Sequence, residues 1–329
     1  MVVRPHLQRL VERIRMRPPL RAAFVFPCDR DSLQLALSGS FAGYLAPVLV
    51  GPEARLRDLA NRAGLDISRL ELVDTADDPR AAGLRAVELA RDRQVLALVK
   101  GSLNNEELLA PVAAPESGLR TGRRLSHAVF LDLPGRASGL LLADAQLNVT
   151  PNLAAKRDIL QNTVDLAFAL GFAAPAVALL AATDVESPAF PSTRDAIALK
   201  LMAAQGQFAG ATVDGPMTPD SALSGAAARA NGVTSAIAGR ADVLLAPSME
   251  AATMVLRTLI ALTGGLAAGL VLGARIPVVA PARTDPMEVR MASCVLASVV
   301  VSAAAESAEA GARRAASPGA AEAAARVAA

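Results

Sequence analysis

The sequence predicts an α/β protein with a mostly parallel sheet, and three observations support that fold class. The chain has 329 residues, a length that suggests about two domains, each large enough for its own core. Hydrophobic residues make up 53% of it and charged residues 19%, which excludes disorder along the whole chain. Short apolar runs alternate with segments of helical spacing, which is the pattern of βαβ units.

The predicted elements begin with a basic amphipathic helix within residues 1–20. The first apolar run then leads into the polar segment 28–32, where a helix is expected to begin with Asp31 or Ser32 as its cap. Further helices are expected over residues 55–63 and 81–92. The predicted strands cover residues 22–27, 47–51, 71–74, 95–100, 128–133, 139–143, 176–181, 243–246 and 277–280.

The composition argues against several classes of protein. Lys and Arg number 33 against 31 Asp and Glu, so there is no cationic excess to bind nucleic acid. Aromatic residues total 3%, with no Trp and one Tyr, which removes the stacking platforms of single-strand binders. The uncharged stretches 166–183, 258–274 and 291–305 are interpreted as core elements, because Gly or Pro interrupts the first two and the third is short. We therefore expect no nucleic acid and no membrane as partner.

Cysteine and histidine are too scarce for several kinds of site. Cys28 and Cys294 are the two cysteines, too few for a disulfide framework and not at a metal-site spacing. His6 and His127 are the two histidines, so a site with several histidine ligands is excluded and no metal is predicted. His127 lies beside a predicted strand and is interpreted as structural. The N-terminus lacks the continuous apolar core of a secretory signal, so a cytoplasmic location is expected.

Candidate ligand-binding residues follow predicted strands, because ligands of open α/β sheets bind beyond the carboxyl ends of the strands. Lys100 and Ser102 flank a glycine there; the lysine could meet an anionic group, or it could be a solvated residue at a turn. Asp214 and Asp220 are expected to open a helix whose N-terminus faces the ligand, with an ordinary turn and cap as the alternative. Neither standard glycine-rich phosphate cradle occurs.

The segment 277–290 is the most informative. A predicted buried strand ends abruptly, and Arg283, Asp285, Glu288 and Arg290 follow it before an apolar helix. Arginine beside carboxylates at the carboxyl end of a strand suits phosphate binding with an adjacent proton acceptor. A capped helix start is the equally supported alternative.

Six segments, taken in order, resemble the phosphate acetyl/butyryl transferase family. The similarity is closest to the butyryl-type branch and to the transferase half of bifunctional enoyl-CoA hydratase/phosphate acetyltransferases, and it covers roughly residues 20–305. The first segment carries three arginines, which suit a solvated face, an anion-facing loop or a subunit interface. The segments are GLRTGRRLSH at 118–127, PST at 191–193, VDGP at 213–216, IAGRADVL at 237–244, AGLVLGA at 268–274 and ARTD at 282–285.

The resemblance implies an acyltransferase that interconverts a short acyl-CoA plus inorganic phosphate with acyl phosphate plus CoA. It implies two α/β domains with an interdomain cleft, as in isocitrate and isopropylmalate dehydrogenases, and a homodimer without metal or redox cofactor. Coenzyme A enters as a substrate. After the N-terminal helix of residues 1–20, we expect the first domain at 21–150 plus 280–305 and the second at 151–279. An alanine-rich tail at 306–329 is expected to be disordered.

The resemblance also assigns roles to individual residues. Arg283 is similar to the family's phosphate-facing arginine, and Asp285 or Glu288 could match the carboxylate that accepts the thiol proton. The residues expected to bind substrate are Lys100, Ser102, Asp214, Asp220 and Thr253.

Three departures from the family pattern bear on activity. Ala282 stands where the family has a serine, Thr253 where it has an asparagine and Ser248 where it has an aspartate. Loss of one oxyanion donor lowers turnover by about 10² to 10³, so a slow enzyme is expected. The alternatives are a catalytically reduced member that binds a CoA-like or phosphorylated ligand, and a metal- and NAD-dependent dehydrogenase of the related fold.

Overall fold

The computed structural model describes residues 4–315 and contains eleven strands and eleven α-helices over that range. The strands are β1 (Leu20–Val25), β2 (Leu45–Gly51), β3 (Glu71–Asp74), β4 (Ala97–Lys100), β5 (Ser126–Asp132), β6 (Leu140–Ala143), β7 (Ala176–Leu180), β8 (Thr212–Met217), β9 (Val243–Leu245), β10 (Leu266–Leu272) and β11 (Val278–Val279). The helices are α1 (Pro5–Arg15), α2 (Arg30–Phe41), α3 (Glu53–Ala63), α4 (Pro79–Arg91), α5 (Asn105–Ala113), α6 (Leu153–Leu170), α7 (Pro191–Ala204), α8 (Pro219–Leu223), α9 (Gly225–Ala230), α10 (Met249–Thr263) and α11 (Met287–Ala315).

All eleven strands join one continuous sheet in the order β3-β2-β1-β4-β11-β10-β5-β6-β9-β7-β8. The pairings are parallel except β11–β10, β10–β5 and β5–β6. The prediction of an α/β fold with a mostly parallel sheet is therefore confirmed. Because of the antiparallel pairs in the middle, β6, β9, β7 and β8 run opposite to β1–β4 and β11.

The register brings the carboxyl ends of both sets of strands to one level. Following it across the sheet aligns Val99, Val279, Leu270, Ala128 and Ala143. The last residue of β6 and the last but one of β4 therefore lie at the same height, on either side of the central strands β11, β10 and β5. Loops that leave the two sets of strands consequently approach one another over the middle of the sheet.

Helix α11 forms much of the core on one face of the sheet. It packs against α1, α2, α6 and the central strands, and the run Cys294–Ala297 is buried. The helix extends well beyond the apolar stretch 291–305 seen in the sequence. By length and composition, the segment Met287–Ala310 of α11 is the one helix in the described part of the chain that could cross a membrane. Buried core helices pass the same test.

One prediction about the sheet is wrong, and one strand of the sheet was not predicted. Asp214 does not open a helix: it lies within the edge strand β8, and α8 starts after it with Thr218 as cap. The Gly-Pro sequence inside this strand suggested a turn, but Pro is tolerated in an edge strand. The segment with Gly269 is the strand β10, which the sequence reasoning did not identify as one because three of its flanking and internal residues are glycines.

Two predictions about helices also need correction. The cap of α2 is Asp29, whose side chain accepts a hydrogen bond from the backbone N–H of Ser32, rather than Asp31 or Ser32. Residues 306–315, predicted as the start of a disordered tail, continue α11 as helix, because alanine has the highest helix propensity. The rest of that predicted tail, 316–329, lies outside the described residues.

Candidate functional site

A cavity of about 520 Å³ lies where β1, β4 and β11 end. We call it the anion pocket, because four of its side chains are cationic and two are carboxylates. Its size falls within the range of small-molecule sites. The residues that line it are Cys28, Asp29, Arg30, Asp31, Lys100, Gly101, Ser102, Pro281, Arg283 and Arg290.

Lys100 is one of two buried cations of the anion pocket, the other being Arg290, and 9% of its surface is exposed. Its Nζ donates a hydrogen bond to Oδ1 of Asn105 at 2.8 Å. Burial lowers the pKa of Lys100, and the positive charges of Arg283 and Arg290 lower it further. Three cations thus repel one another in a partly desolvated space, and an anion bound between them would relieve that repulsion.

The loop after β4 depends on a glycine. A Cβ on Gly101 would lie 2.5 Å from the carbonyl oxygen of Phe26, so any larger residue would clash with the backbone that follows β1. Ser102 then donates its hydroxyl hydrogen to Oδ2 of Asp29. Asp29 also caps α2, so one carboxylate ties the loop after β4 to the start of α2.

The loop after β11 is held by its own hydrogen bonds. The Oδ2 atom of Asp285 accepts from the backbone N–H of Ala282 at 2.7 Å. The buried Arg290 donates from Nε to the carbonyl oxygen of Asp285 at 2.9 Å and from Nη2 to that of Arg283 at 3.0 Å. These contacts fix the backbone of the loop and leave the Arg283 side chain exposed beside the anion pocket.

A second, smaller cavity adjoins the first and shares Pro281 with it. It measures about 170 Å³ and is mostly apolar, so we call it the apolar pocket. Thr253 lies beside it, with Oγ1 3.3 Å from the carbonyl oxygen of Ala145. The residues that line it are His127, Val129, Ala145, Gln146, Leu256, Arg257, Ile260, Ala267, Gly269, Ala280, Pro281, Ala282, Asp285, Val289 and Ser293.

His127 is the buried imidazole of the apolar pocket, with 8% of its surface exposed. Burial lowers its pKa to about 4, although the nearby charges of Asp144 and Asp285 act in the opposite direction. The ring is therefore neutral at pH 7. The carboxylate of Asp144 is hydrogen-bonded within its own loop, since its Oδ1 accepts from the backbone N–H groups of Gln146 and Leu147, each at 2.9 Å.

The cysteines are not thiolates at neutral pH. Burial raises the pKa of Cys28 to about 11, an effect that the charge of Arg55 partly offsets. Burial alone raises the pKa of Cys294 to about 12. Cys28 lines the anion pocket, but a nucleophilic role would need the deprotonated form.

A third cavity, of about 730 Å³, is lined by the arginine-rich segment. Arg120, Arg123 and Arg124 all border it. The Nη1 atom of Arg123 lies 2.6 Å from Oδ2 of Asp165. Asn105, which accepts from Lys100, borders this arginine cavity too, so it lies next to the anion pocket. The segment therefore faces a cavity, which favours the anion-facing alternative.

The structure brings together four of the eight residues that the sequence reasoning selected, with a fifth close by. Lys100, Ser102 and Arg283 line the anion pocket, Asp285 lines the apolar pocket, and Thr253 lies beside the latter.

Three selected residues lie outside these cavities. Asp214 belongs to β8, seven strands from β4 in the sheet, or about 34 Å at about 4.8 Å a strand, and its Oδ1 is 2.6 Å from Nζ of Lys200. Asp220 is exposed near Asn231. Glu288 is exposed, with its carboxylate 3.6 Å from Nε of Arg4.

Sequence reasoning did not select Asp29, Arg30, Arg290 or His127 as site residues. The first two follow β1 directly, so the rule that ligands bind beyond strand ends could have found them. Arg290 was noted only as part of a cluster. The position of His127 depends on the pairing of β5 with β10, which no local signal reveals.

Comparison with known proteins identifies related chains. Residues 80–298 match the family model described as Phosphate acetyl/butaryl transferase. A phosphate acetyltransferase of Rhizobium meliloti is 42% identical over 291 residues, which cover 88% of this chain and 92% of the relative. A phosphate butyryltransferase of Clostridium acetobutylicum is 34% identical over 291 residues, which cover 88% and 96%.

Solved structures agree. A branched-chain phosphotransacylase from Enterococcus faecalis V583 superposes with a TM-score of 0.76 at 26% identity, over 86% of this chain and 99% of that one. A 4-hydroxythreonine-4-phosphate dehydrogenase from Klebsiella pneumoniae gives a TM-score of 0.54 at 16% identity, over 86% and 99%. The latter likeness shows a shared fold alone, of the dehydrogenase type that the sequence resemblance implied.

Proposed function

The chain belongs to the phosphate acetyl/butyryl transferase family, and from that membership and the paired cavities we infer that it interconverts acyl-CoA plus phosphate with acyl phosphate plus CoA. The observation that carries the inference is the adjacency of the two cavities, one cationic and one apolar, which share Pro281. Such a pair suits a reaction between an inorganic anion and an acyl group, because adjacent cavities offer each reactant its own environment next to the other.

We propose that inorganic phosphate binds in the anion pocket. Arg283 would provide a planar, permanently charged donor group and Lys100 a point charge, the two kinds of cation that bind phosphate in proteins. The backbone N–H groups at the start of α2 would add neutral donors, and Ser102, whose hydroxyl hydrogen is donated to Asp29, would hold that end of the pocket in place. The lowered pKa of Lys100 supports this role, because a bound dianion would restore the stability of its charged form.

We propose that Asp285 moves the proton. In the direction of acyl phosphate formation, an oxygen of hydrogen phosphate attacks the thioester carbonyl carbon and the C–S bond breaks. The proton of hydrogen phosphate must then reach the sulfur of CoA, and in the reverse direction the thiol must lose it. Asp285 lines the apolar pocket from the loop that also carries Arg283, and its Oδ2 is anchored to the N–H of Ala282. Glu288, exposed and near Arg4, is less suited.

We propose that the arginine cavity receives the phosphate groups of CoA. Arg120, Arg123 and Arg124 border it next to the anion pocket, and a cluster of guanidinium groups matches phosphate oxygens. Thr253, beside the apolar pocket, would then contact the acyl or thiol end of the same substrate.

We propose further that the enzyme has two α/β domains, with the meeting strand ends forming a cleft between them, and acts as a cytoplasmic homodimer without a metal or redox cofactor. The reaction as written needs neither electron transfer nor a Lewis acid. Asp214, on the edge strand β8, and Asp220, in the helix α8 that follows it, would serve the fold there rather than the substrate.

Substitution of Arg283 tests the assignment. We expect Arg283→Ala to lower kcat/KM for phosphate by about 10² or more, measured as phosphate-dependent release of thiol from acetyl- and butyryl-CoA. Arg62→Ala, which removes an exposed partner of Asp58 within α3, should leave turnover unchanged.

The wild-type protein provides the decisive comparison. If it releases no thiol in a phosphate-dependent manner from any C2 to C6 acyl-CoA, the proposed reaction is wrong. Binding of CoA without turnover would instead support a catalytically reduced protein that retains the ligand site.

A further inference from the structure

A buried nitrogen without a partner lies at the proposed reaction site. The Nδ1 atom of His127 is shielded from solvent and makes no hydrogen bond to any residue of the described range 4–315. An unsatisfied buried polar atom of this kind destabilises the folded protein, and such atoms in native proteins commonly have a functional reason. His6, the other histidine, is also buried but has its Nε2 3.1 Å from the carbonyl oxygen of Arg136.

The strand beside His127 is adapted to hold the ring in place. His127 lies on β5 and Gly269 on the adjacent strand β10. A Cβ on Gly269 would be 2.5 Å from Nε2 and 2.9 Å from Cε1 of the ring, so the imidazole occupies the space that a side chain there would fill. Both residues line the apolar pocket together with Asp285. The absence of a side chain at Gly269 thus leaves the space that the His127 ring occupies in the pocket.

The residues of the loop after β11 that line the apolar pocket supply no side-chain hydrogen-bond donor for the carbonyl oxygen of the substrate. Ala282 lines the same pocket and has no hydroxyl group, and Asp285 as a carboxylate can only accept hydrogen bonds. Attack on a thioester drives negative charge onto the carbonyl oxygen, which a positioned donor must stabilise. Among the donors that line the described part of the pocket, the Gln146 amide and the Ser293 hydroxyl donate to backbone carbonyls, and Arg257 is exposed. The neutral imidazole has one N–H that could stabilise that oxygen.

We propose that His127 is a catalytic residue whose imidazole N–H donates a hydrogen bond to the carbonyl oxygen of the acyl group, while the acyl chain lies against Val129, Leu256 and Ile260. This inference rests on the proposed acyl transfer and names the group that stabilises its oxyanion.

The chemical step balances without any further reactant. A phosphate oxygen forms a bond to the carbonyl carbon, and the π electrons of the C=O bond move to the oxygen that His127 faces. When the C=O bond forms again, the C–S bond breaks and its electron pair leaves with sulfur. The proton that hydrogen phosphate brought ends on the thiol. His127 keeps its own proton throughout, because it donates a hydrogen bond and not the proton itself.

Three substitutions of His127 separate a donor from a space-filling group. His127→Leu removes the donor, whereas His127→Asn and His127→Gln offer an amide N–H close to the positions of Nδ1 and Nε2 respectively. We expect His127→Leu to lower kcat and kcat/KM together by about 10² to 10³, with KM for acyl-CoA nearly unchanged, as for an interaction made in the transition state. One of the two amide variants should recover most of that loss. His6→Leu is the matched control and should retain wild-type kcat.

Two kinetic outcomes would overturn the proposal. A folded His127→Leu protein with wild-type kcat shows that no donor is needed at this position. A rise in KM for acyl-CoA at constant kcat shows that His127 contributes to uniform binding and not to catalysis. Circular dichroism and the thermal midpoint of each variant establish that the comparison is between folded proteins.

A measurement on the wild-type chain keeps the test open even if His127→Leu does not fold. The ring nitrogens of the two histidines can be followed by ¹⁵N NMR while the protein is titrated with CoA or with a ketone analogue of acetyl-CoA, in which CH₂ replaces the thioester sulfur. We expect the His127 resonances to move with the ketone and much less with CoA, and those of His6 to stay in place. Equal responses to both ligands, or no response to the ketone, would contradict the proposal.

The two levels of inference fail differently. If the wild-type protein shows no phosphate-dependent thiol release, the proposed reaction fails whatever the NMR result. If it turns over while His127→Leu matches it, the reaction stands and the role of His127 alone is refuted.

Discussion

Arg290 is a charged side chain that is buried beneath the anion pocket it lines. Two nitrogens of its guanidinium group donate hydrogen bonds to the backbone carbonyls of Arg283 and Asp285, so it sets the position of the two residues proposed to act on phosphate and proton. A lysine could not do the same, because its single ammonium lacks the fixed fork of donors. Arg283, the site residue that the sequence indicates most clearly, thus depends for its position on Arg290, which the sequence indicates less clearly.

The buried imidazole also gives a prediction about stability. The pKa of His127 in the folded protein, about 4, lies below the ordinary value near 6.5 of an unfolded chain. Above pH 6.5 both states are neutral and the effect is absent. As pH falls towards 4 the unfolded state takes up a proton first, so the free energy of unfolding should fall by about 1.4 kcal/mol per pH unit.

Comparison with His127→Leu isolates this effect. Urea unfolding of both proteins at pH 7 and pH 5 should show that the wild type loses about 2 kcal/mol more than the variant between the two values. Parallel losses would mean that His127 is not held neutral by the fold.

Individual elements could be predicted where the signal is local. The strand at Glu71–Asp74 has the predicted bounds, and eight others lie within a few residues of them, because short apolar runs between turn residues identify strands well. β10 was not predicted because glycines flank and interrupt it. One of them, Gly269, leaves room for the His127 ring. Its composition reflects a packing demand from a neighbouring strand, which the sequence of the segment alone does not contain.

The cap of α2 gives a prediction at the level of elements. Asp29→Ala removes the acceptor of the Ser32 N–H and also that of the Ser102 and Ser32 hydroxyl groups. Asp78 caps α4 through the N–H groups of Arg80 and Ala81 alone. Loss of a cap costs about 0.5–2 kcal/mol, and a buried hydroxyl left without an acceptor adds to that cost. Asp29→Ala should therefore destabilise the protein more than Asp78→Ala.

Urea denaturation of the two variants measures the difference. Adding Ser32→Ala to Asp29→Ala should recover part of the loss, because Ser32 is buried and its hydroxyl would no longer lack a partner. Equal costs for the two single variants would contradict the idea that Asp29 links α2 to the loop after β4.

At the scale of the whole molecule, the order of the strands decides which candidates meet. Lys100 and Arg283 meet because Lys100 ends β4 and Arg283 follows β11, the strand next to β4 in the sheet. Asp214 follows the same local rule and lies at the far edge. The difference arises from the antiparallel pairs in the centre of the sheet, which reverse half of its strands. Pairing between distant segments depends on the complete core, so local patterns do not reveal it.

Helix α10 supplies a prediction about assembly. One residue of its fifteen, Ala252, is buried, and Met254 and Leu262 are 62% and 82% exposed. An apolar helix left largely uncovered suits an interface with a second copy of the chain. Light scattering should give a mass of twice the 33.7 kDa of one chain, and Leu262→Asp should shift it towards one.

The control is an exposed leucine elsewhere. Leu84 on α4 is 50% exposed, and Leu84→Asp should leave the measured mass unchanged. A dimer that tolerates Leu262→Asp together with Met254→Asp would place the interface on another surface.

The position of β11 has a consequence for how the protein is made. This strand and α11 come from the last part of the described chain, yet β11 lies between β4 and β10 and α11 covers the central strands. While the chain is being synthesised, the strands of its first hundred residues have an unpaired edge at β4 until more than 170 further residues have emerged. During that interval an unpaired strand is open to wrong partners. A ribosome that stalls after residue 270 would release a chain with all three proposed substrate cavities unfinished.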